Sequence, residues 1–270
     1  MVEPALKVGC CGFPVGQERY FTTFPTVELN SAFYNLPRLA TAQAWRERAP
    51  KGFEFSLKAW QLITHTPDSP TYQRLTRPVP RKREAWYGAF KATDEVSEAW
   101  EATRRVAEAV RASFVLFQTP SSFYSSQDNI ANLKRFFREM RRGEWLAVWE
   151  PRGEWDPKTV QALCRDLDLI HGVDPLQGAS THGRIKYYRL HGAYQGRRIE
   201  YSHPYTEAEL KKLGTAVEGQ RAYVYFNNRP MWDDARRFQA AVLSPLRHAP
   251  KGTKFGPGVR PFSGGLRSMR

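Results

Sequence analysis

The sequence contains little cysteine. Cys10, Cys11 and Cys164 are the only three in 270 residues, and two of them are adjacent. The chain therefore has no Cys-x-x-Cys pair and no basis for a disulfide framework. We expect all three thiols to be reduced and packed, with Cys10, at the end of the first predicted strand, as the candidate to face a site.

Long apolar runs are also missing. No stretch approaches the length needed to cross a bilayer, and the first residues, Met1-Val2-Glu3-Pro4, do not form a secretory signal. We therefore expect a cytoplasmic protein without a membrane partner. Neither G-x-G-x-x-G nor G-x-x-x-x-G-K-S/T occurs, which argues against an open nucleotide-binding sheet.

Acidic residues are the minority among the charged side chains. There are 27 Asp and Glu against 41 Lys and Arg, a formal net charge of +14, and no acidic residue follows Asp234. Such an excess attracts polyanions, although a solvated basic surface would explain it equally well. Glycine and proline crowd the segment after Pro250, so we predict a domain at 1–250 and a basic Gly/Pro-rich tail at 251–270.

Eight short apolar runs recur along the chain, with helical patterns between most of them. Alternating strands and helices in this length favour the α/β class and a single (β/α)8 TIM-type barrel. Four prolines break the segment 59–93, which predicts an irregular insertion after strand three, over the mouth of the barrel. The predicted strands are 6–10, 27–31, 53–58, 114–118, 146–150, 169–174, 187–191 and 223–228. The predicted helices are 40–48, 95–112, 128–140, 157–167, 207–217 and 234–246, with a short one near Tyr20.

Most of the predicted strands end on a polar or charged residue. The carboxyl ends of parallel barrel strands share one face, where active sites of this architecture lie. We therefore predict one polar cluster at this face. Its candidate catalytic residues are Glu150, His191 and Lys58. Its candidate substrate-binding residues are Asn30, Tyr34, His65, Gln118, Arg152, Arg189, Asn227 and Asn228.

Strand parity indicates which of these side chains face the barrel interior, because alternate residues of a strand point to the same side. Arg189 and His191 share parity on one strand, and Glu28 and Asn30 share it on another. We predict that Glu28 is a buried partner of Lys58 or Arg189 rather than a proton donor.

Glu150, Asp174 and His191 are candidate ligands for a divalent metal. Their oxygen and nitrogen donors suit Mg²⁺, Mn²⁺ or Zn²⁺. Structural explanations stay open beside this one, since Glu150 can pair with Arg152 and Asp174 can start an Asx turn.

The motifs, in combination and in order, resemble those of the YecE-like family, also called domain of unknown function 72. The resemblance covers roughly residues 6–243. It implies a TIM-type barrel and assigns no reaction. The motifs are VELNSAFY (27–34), FSLKA (55–59) with His65, FQTPSSF (117–123), WEPR (149–152), YRLHG (188–192) and YFNN (225–228).

Three functions fit a cationic pocket of this kind. The leading hypothesis is a metal-assisted phosphodiesterase or nuclease acting on nucleic acid, in which Lys58, Arg152 and Arg189 stabilise phosphate charge. The second is a sugar-phosphate isomerase or lyase, in which Glu150 or His191 moves a proton. The third is a non-catalytic nucleic-acid binding module. The expected partner is thus a nucleic acid or a phosphorylated small molecule.

Overall fold

The structure is a computed structural model, and it describes residues 6–196 and 198–247. The predicted tail at 251–270 and the first residues lie outside this range. The division into a domain and a tail therefore stays a prediction.

Eight parallel strands close into a barrel, which confirms the predicted fold. The barrel strands are β1 (Leu6–Cys11), β2 (Thr26–Leu29), β3 (Glu54–Lys58), β4 (Ala112–Gln118), β5 (Leu146–Glu150), β6 (Ile170–Val173), β7 (Lys186–Leu190) and β10 (Ala222–Phe226). Their order around the barrel is β1-β10-β7-β6-β5-β4-β3-β2.

Helices connect most of the strands, close to the predicted positions. They are α1 (Gln17–Phe21), α2 (Leu39–Arg48), α3 (Gln61–Thr64), α4 (Asp94–Ala109), α5 (Gln127–Glu139), α6 (Pro157–Asp166), α7 (Glu207–Val217) and α8 (Met231–Arg247). α4 ends earlier than predicted, and Arg111 behind it adopts a left-handed backbone with φ of 49° that turns the chain into β4. No helix in the described part of the chain is long and apolar enough to span a membrane.

Two apolar layers result from the alternation of side chains along the strands. The outer layer lies between the strands and the helices, and the inner layer fills the barrel. Tyrosine hydroxyls of the inner layer find polar partners, as Tyr187 does with Ser56 at 2.5 Å and Tyr225 with Thr26 at 2.7 Å. The inner residues are Cys11, Phe114, Leu116, Val148, Ile170, Tyr187, Tyr223 and Tyr225.

Two irregular segments lie at the carboxyl ends of the strands. The predicted insertion after β3 contains α3 and two 3-10 helices, Pro70–Arg74 and Arg81–Trp86. Asn35, which follows β2, holds the insertion by hydrogen bonds to the backbone of Arg74 and Thr76. The second segment is a hairpin of β8 (Ala193–Gln195) and β9 (Arg198–Glu200), which the sequence analysis did not predict.

Gly9 allows β1 and β2 to approach each other. A Cβ atom at this position would lie 2.3 Å from the carbonyl oxygen of Thr26. We expect Gly9→Ala to lower the free energy of unfolding by about 1–3 kcal/mol, because backbone must shift to relieve the clash. Gly178→Ala is the control, since nothing lies within 4 Å of its Cβ position. Equal urea denaturation midpoints for the two variants would contradict this explanation.

Candidate functional site

A buried arginine stands at the centre of the barrel mouth. Arg189 of β7 is fully buried and forms a bidentate ion pair with Glu28 of β2, with both N···O distances at 2.8 Å. Its Nη1 donates to Glu150 of β5 at 2.7 Å. Bidentate, charge-assisted geometry of this kind offsets the cost of removing the three charges from water. One of the two partners predicted for Glu28 is thus confirmed.

These ion pairs keep Glu150 and Arg189 charged. Burial by itself would raise the pKa of Glu150, but the charges of Arg152 and Arg189 outweigh it and hold that pKa well below its usual range. Burial would likewise lower the pKa of Arg189, and the carboxylates of Glu28 and Glu150 raise it instead. Glu150 is therefore a carboxylate, and Arg189 a guanidinium cation, around neutral pH.

Arg152 forms the outer boundary of this cluster. Its Nη2 pairs with Glu150 Oε1 at 2.5 Å, so the ion pair anticipated as a structural explanation is present. Its Nη1 donates to the hydroxyl of Tyr194 at 3.2 Å, and its Nε has no hydrogen-bond partner among the described residues. The Arg152 side chain is 19% exposed, whereas that of Arg189 is completely enclosed. Arg152 is thus the guanidinium of the cluster that a ligand can reach.

His191 is held as a neutral acceptor. Its Nε2 lies 2.5 Å from Arg152 Nη2 and 3.1 Å from Arg189 Nη1. Guanidinium groups only donate, so Nε2 accepts and the ring proton is on Nδ1. Burial and the charge of Arg152 lower the pKa of His191 well below its ordinary value. The ring nitrogen that would accept a substrate proton is thus already occupied.

The predicted metal site is not formed. Glu150 approaches the Nε2 side of the His191 ring and Asp174 the Nδ1 side, each at 3.8 Å, so the three side chains do not converge on one point. Both Glu150 oxygens face guanidinium groups. No group of three or more His, Cys, Asp or Glu within residues 6–196 and 198–247 is arranged to hold a metal ion. Arginines occupy the positions where a cation would sit.

Asp174 forms the predicted Asx turn. One carboxylate oxygen accepts from the backbone N–H of Leu176 at 3.0 Å, and the other from that of His191 at 3.4 Å. Burial raises the pKa of Asp174 to about 6. Its function in the structure is to anchor the loop after β6 to the end of β7.

Lys58 is the cation of the mouth without a carboxylate partner. It ends β3, is 5% exposed, and places Nζ 3.9 Å from the ring centroid of Phe33. No carboxylate of the described residues makes an ion pair with it within 4 Å, because Glu28 is committed to Arg189 and to Tyr187. Burial first, and then the charge of Arg189, lowers the pKa of Lys58 to about 7.

Of two other predicted residues, Gln118 contacts the cluster and Tyr34 contacts the insertion. Gln118 accepts a 3.4 Å hydrogen bond from Arg189. Tyr34 stacks under the guanidinium of Arg74 in the insertion, 3.5 Å from ring centroid to Cζ. Asn30 begins a 3-10 helix directly after β2 rather than continuing the strand, and its buried Oδ1 has no partner among the described residues.

Two other side chains predicted to bind a ligand, those of His65 and Asn228, form hydrogen bonds within the protein. His65 is buried, with Nδ1 2.8 Å from the Thr64 hydroxyl and its ring against Phe33, and burial lowers its pKa to about 3. Asn228 donates to Asp234 and to a backbone carbonyl, which ties the end of β10 to α8.

Two further predicted residues, Asn227 and Cys10, are not seen to contact the cluster among the described contacts. The backbone N–H of Asn227 donates to the carbonyl of Leu190, and no described contact joins its side chain to the cluster. Cys11, not Cys10, faces the site, with Sγ 3.7 Å from Arg189 Nη2. Cys10 points outward to α8, because adjacent residues of a strand point to opposite faces and Cys11 takes the inner one.

An open pocket of about 710 Å³ lies beside the cluster. Gln118, Glu150, Arg152 and Asp174 form its polar wall. Three tyrosines that complete the pocket wall are not among the predicted site residues. Their common signal is an aromatic residue in a loop at the carboxyl ends of the strands, where burial in the core cannot explain it. They are Tyr124, Tyr194 and Tyr201, with Tyr124 56% and Tyr201 43% exposed.

The family model for "Protein of unknown function DUF72" matches residues 17–257. The chain belongs to this family. It is 25% identical to the UPF0759 protein YunF of Bacillus subtilis (strain 168) over 252 residues, which cover 81% of this chain and 82% of YunF. A DUF72 family protein from Enterococcus faecalis V583 has a similar crystal structure, with a TM-score of 0.69, 20% identity, and coverage of 92% of this chain and 100% of that one.

More distant structures share the barrel alone. A xylose isomerase domain containing protein from Salmonella typhimurium LT2 gives a TM-score of 0.56 at 15% identity, covering 87% of this chain and 94% of its own. Endonuclease IV from Thermus thermophilus gives 0.55 at 12% identity, covering 90% and 100%. These members of the fold confirm the TIM-barrel class of the DUF72 chain.

The two buried cations should affect stability in opposite directions. We expect Arg189→Met to lower the free energy of unfolding by about 3–5 kcal/mol, because it leaves buried carboxylates without partners. Lys58→Met should raise it by roughly 1–4 kcal/mol, because it removes a buried amine without a carboxylate. Urea denaturation of both variants at pH 7 measures the difference.

The pH dependence of the Lys58→Met effect tests its cause. The folded-state pKa of Lys58, about 7, lies below the ordinary 10.5, so folding releases a proton between these values. Burial of Lys58 therefore costs most at and below pH 7 and less as the pH rises toward 10. A stabilisation by Lys58→Met that does not shrink over this range would contradict the explanation.

Proposed function

We propose that the pocket at the mouth of the barrel binds phosphate groups of a nucleic-acid strand, with Arg152 as the direct contact. One observation carries this proposal. Arg152 lines the pocket, its side chain is 19% exposed, and its Nε has no hydrogen-bond partner among the described residues. A phosphate oxygen beside Arg152 would accept a charge-assisted hydrogen bond from its guanidinium.

The aromatic lining supports a nucleic acid as the ligand. Single-stranded nucleic acids bind where aromatic rings for base stacking alternate with cations for the backbone. Exposed Tyr124 and Tyr201 lie on the pocket wall. Stacked pairs of an arginine and an aromatic ring, Tyr34 with Arg74 and Trp86 with Arg83, extend this arrangement along the insertion. The net charge of +14 would draw a polyanion toward the same surface.

The likeness to endonuclease IV supports this substrate class by analogy of fold, and the likeness to a xylose isomerase domain supports the small-molecule alternative equally. A pocket of about 710 Å³ would also accept a sugar phosphate. Metal-assisted hydrolysis is not part of the proposal, because Glu150, Asp174 and His191 do not converge on one ion. The proposed activity is therefore binding.

Arg152→Gln tests the proposal, because it removes the charge that contacts phosphate. We expect the affinity for a fluorescently labelled single-stranded oligonucleotide to fall roughly 10- to 100-fold, as for the loss of a charge-assisted hydrogen bond. The slope of log K against log salt should become shallower by about 0.7, the value for one phosphate contact with a single strand. Fluorescence anisotropy at several salt concentrations measures both.

Arg165→Gln on the outer face of α6 is the matched control, since Arg165 lies outside the pocket lining and pairs with Asp166 on the surface. It should bind like the unmodified protein. Equal affinities for the Arg152 and Arg165 variants would overturn the proposal. Binding of ribose 5-phosphate with little salt dependence, and none of the oligonucleotide, would decide for the small-molecule alternative.

A further inference from the structure

We infer that Lys58 is a nucleophilic amine, which condenses with the aldehyde of a phosphorylated ligand held in the pocket and forms an imine. The inference rests on the proposed phosphate binding at Arg152 and assigns a covalent step to the same site. The shared chemistry of the ligand is a phosphate and an aldehyde in one molecule. A sugar phosphate and the opened sugar of an abasic nucleotide both have it.

The carboxylates of the cluster pair with its arginines and not with Lys58. Glu28 gives both oxygens to Arg189 and accepts a further hydrogen bond from Tyr187. Glu150 gives one oxygen to Arg189 and the other to Arg152. The arginines thus take every carboxylate oxygen of Glu28 and Glu150. Lys58 is left against the face of Phe33, which holds the amine in place without supplying a charge to it.

The charges around Lys58, together with its burial, lower the pKa of its amine. Arg189 and Arg152 disfavour a further positive charge, Glu28 and Glu150 favour it only in part, and the nearby imidazole of His65 is neutral. Together with burial, these charges bring the pKa of Lys58 to about 7, so a large fraction of the amine has a free lone pair near neutral pH. A buried lysine with a lowered pKa is the kind that forms Schiff bases.

Lys58 lies at the end of the barrel where the pocket is. Lys58 ends β3, and the neighbouring strand β4 ends at Gln118, which lines the pocket. Glu150 and Arg152 line it as well, and both act electrostatically on Lys58. A ligand whose phosphate meets Arg152 would direct a carbonyl group inward past Gln118 toward the amine. Lys58 itself is 5% exposed and is not among the residues that line the pocket, so the carbonyl group must pass inward beyond Gln118 to reach it.

The step balances without an oxidant or a reductant. The lone pair of Lys58 Nζ attacks the carbonyl carbon, a C–N bond forms, and the π electrons of the carbonyl move to its oxygen. The nitrogen then gives up two protons, which leave with that oxygen as water. The product is a neutral imine, so the cluster retains two arginines against two carboxylates. Where Lys58 starts protonated, its ammonium first releases one further proton to solvent, and imine formation then removes the positive charge of Lys58.

Reductive trapping with pyridoxal 5′-phosphate tests the inference, since this probe combines a phosphate and an aldehyde. Borohydride reduces the imine to a stable secondary amine, which peptide mass spectrometry locates. We expect Lys58 to be labelled at least tenfold faster than the exposed Lys212 of α7, with a rate that is half-maximal near pH 7. Inorganic phosphate, and Arg152→Gln, should slow the labelling of Lys58 but not that of Lys212.

Two variants serve as controls. Lys58→Arg should abolish the fast adduct while keeping the fold, as judged by circular dichroism, and Lys212→Arg should leave it unchanged. Binding of the probe without borohydride, measured by calorimetry, separates the two proposals. If the probe binds in competition with phosphate but Lys58 is not labelled, the imine inference is wrong and the proposed function stands. If the probe does not bind, the proposed function has failed.

A second trapping experiment identifies the source of the aldehyde. An oligonucleotide with one abasic site and cyanoborohydride should give a covalent complex through Lys58 if the ligand is a nucleic acid. A complex with glyceraldehyde 3-phosphate alone would assign the amine to a small sugar phosphate. Labelling spread evenly over surface lysines in both experiments would overturn the inference.

Discussion

The ion pairs of Arg189 are the interaction on which the mouth of the barrel depends. A guanidinium with no access to water needs carboxylates in fixed positions, and Glu28 and Glu150 supply them from strands on either side of the barrel. The network that results positions Arg152 at the rim and sets the tautomer of His191. The other polar groups of the site form their contacts around this network.

A cluster built in this way has a consequence for chemistry. The two carboxylates stabilise arginines and are unavailable as metal ligands or as a general base, and the histidine faces two guanidinium groups. Within the described part of the cluster, Lys58 alone has an uncommitted reactive atom. The paired arginines thus stabilise the folded state. The neighbouring Lys58, which is the reactive group, destabilises it.

The agreement between sequence and structure differs from residue to residue for physical reasons. Strand parity correctly indicated that Glu28 and Arg189 share the interior, because alternation along a strand is a local property. The predicted metal site is not formed. Glu150 and Asp174 share a face with His191 but approach its ring from opposite sides. The internal contacts of Asn228 and His65 could not be predicted, since their partners, Asp234 and Phe33, become neighbours only through packing. The hairpin carrying Tyr194 was missed because three-residue strands leave almost no periodic signal.

By itself the sequence determined the (β/α)8 barrel and the face on which the polar residues gather, because these follow from hydrophobic periodicity and strand direction. The tertiary structure alone decided which cation meets which carboxylate. That choice depends on distances of a few ångströms between strands far apart in the chain, and it leaves Lys58 as the amine without a carboxylate partner among the described residues.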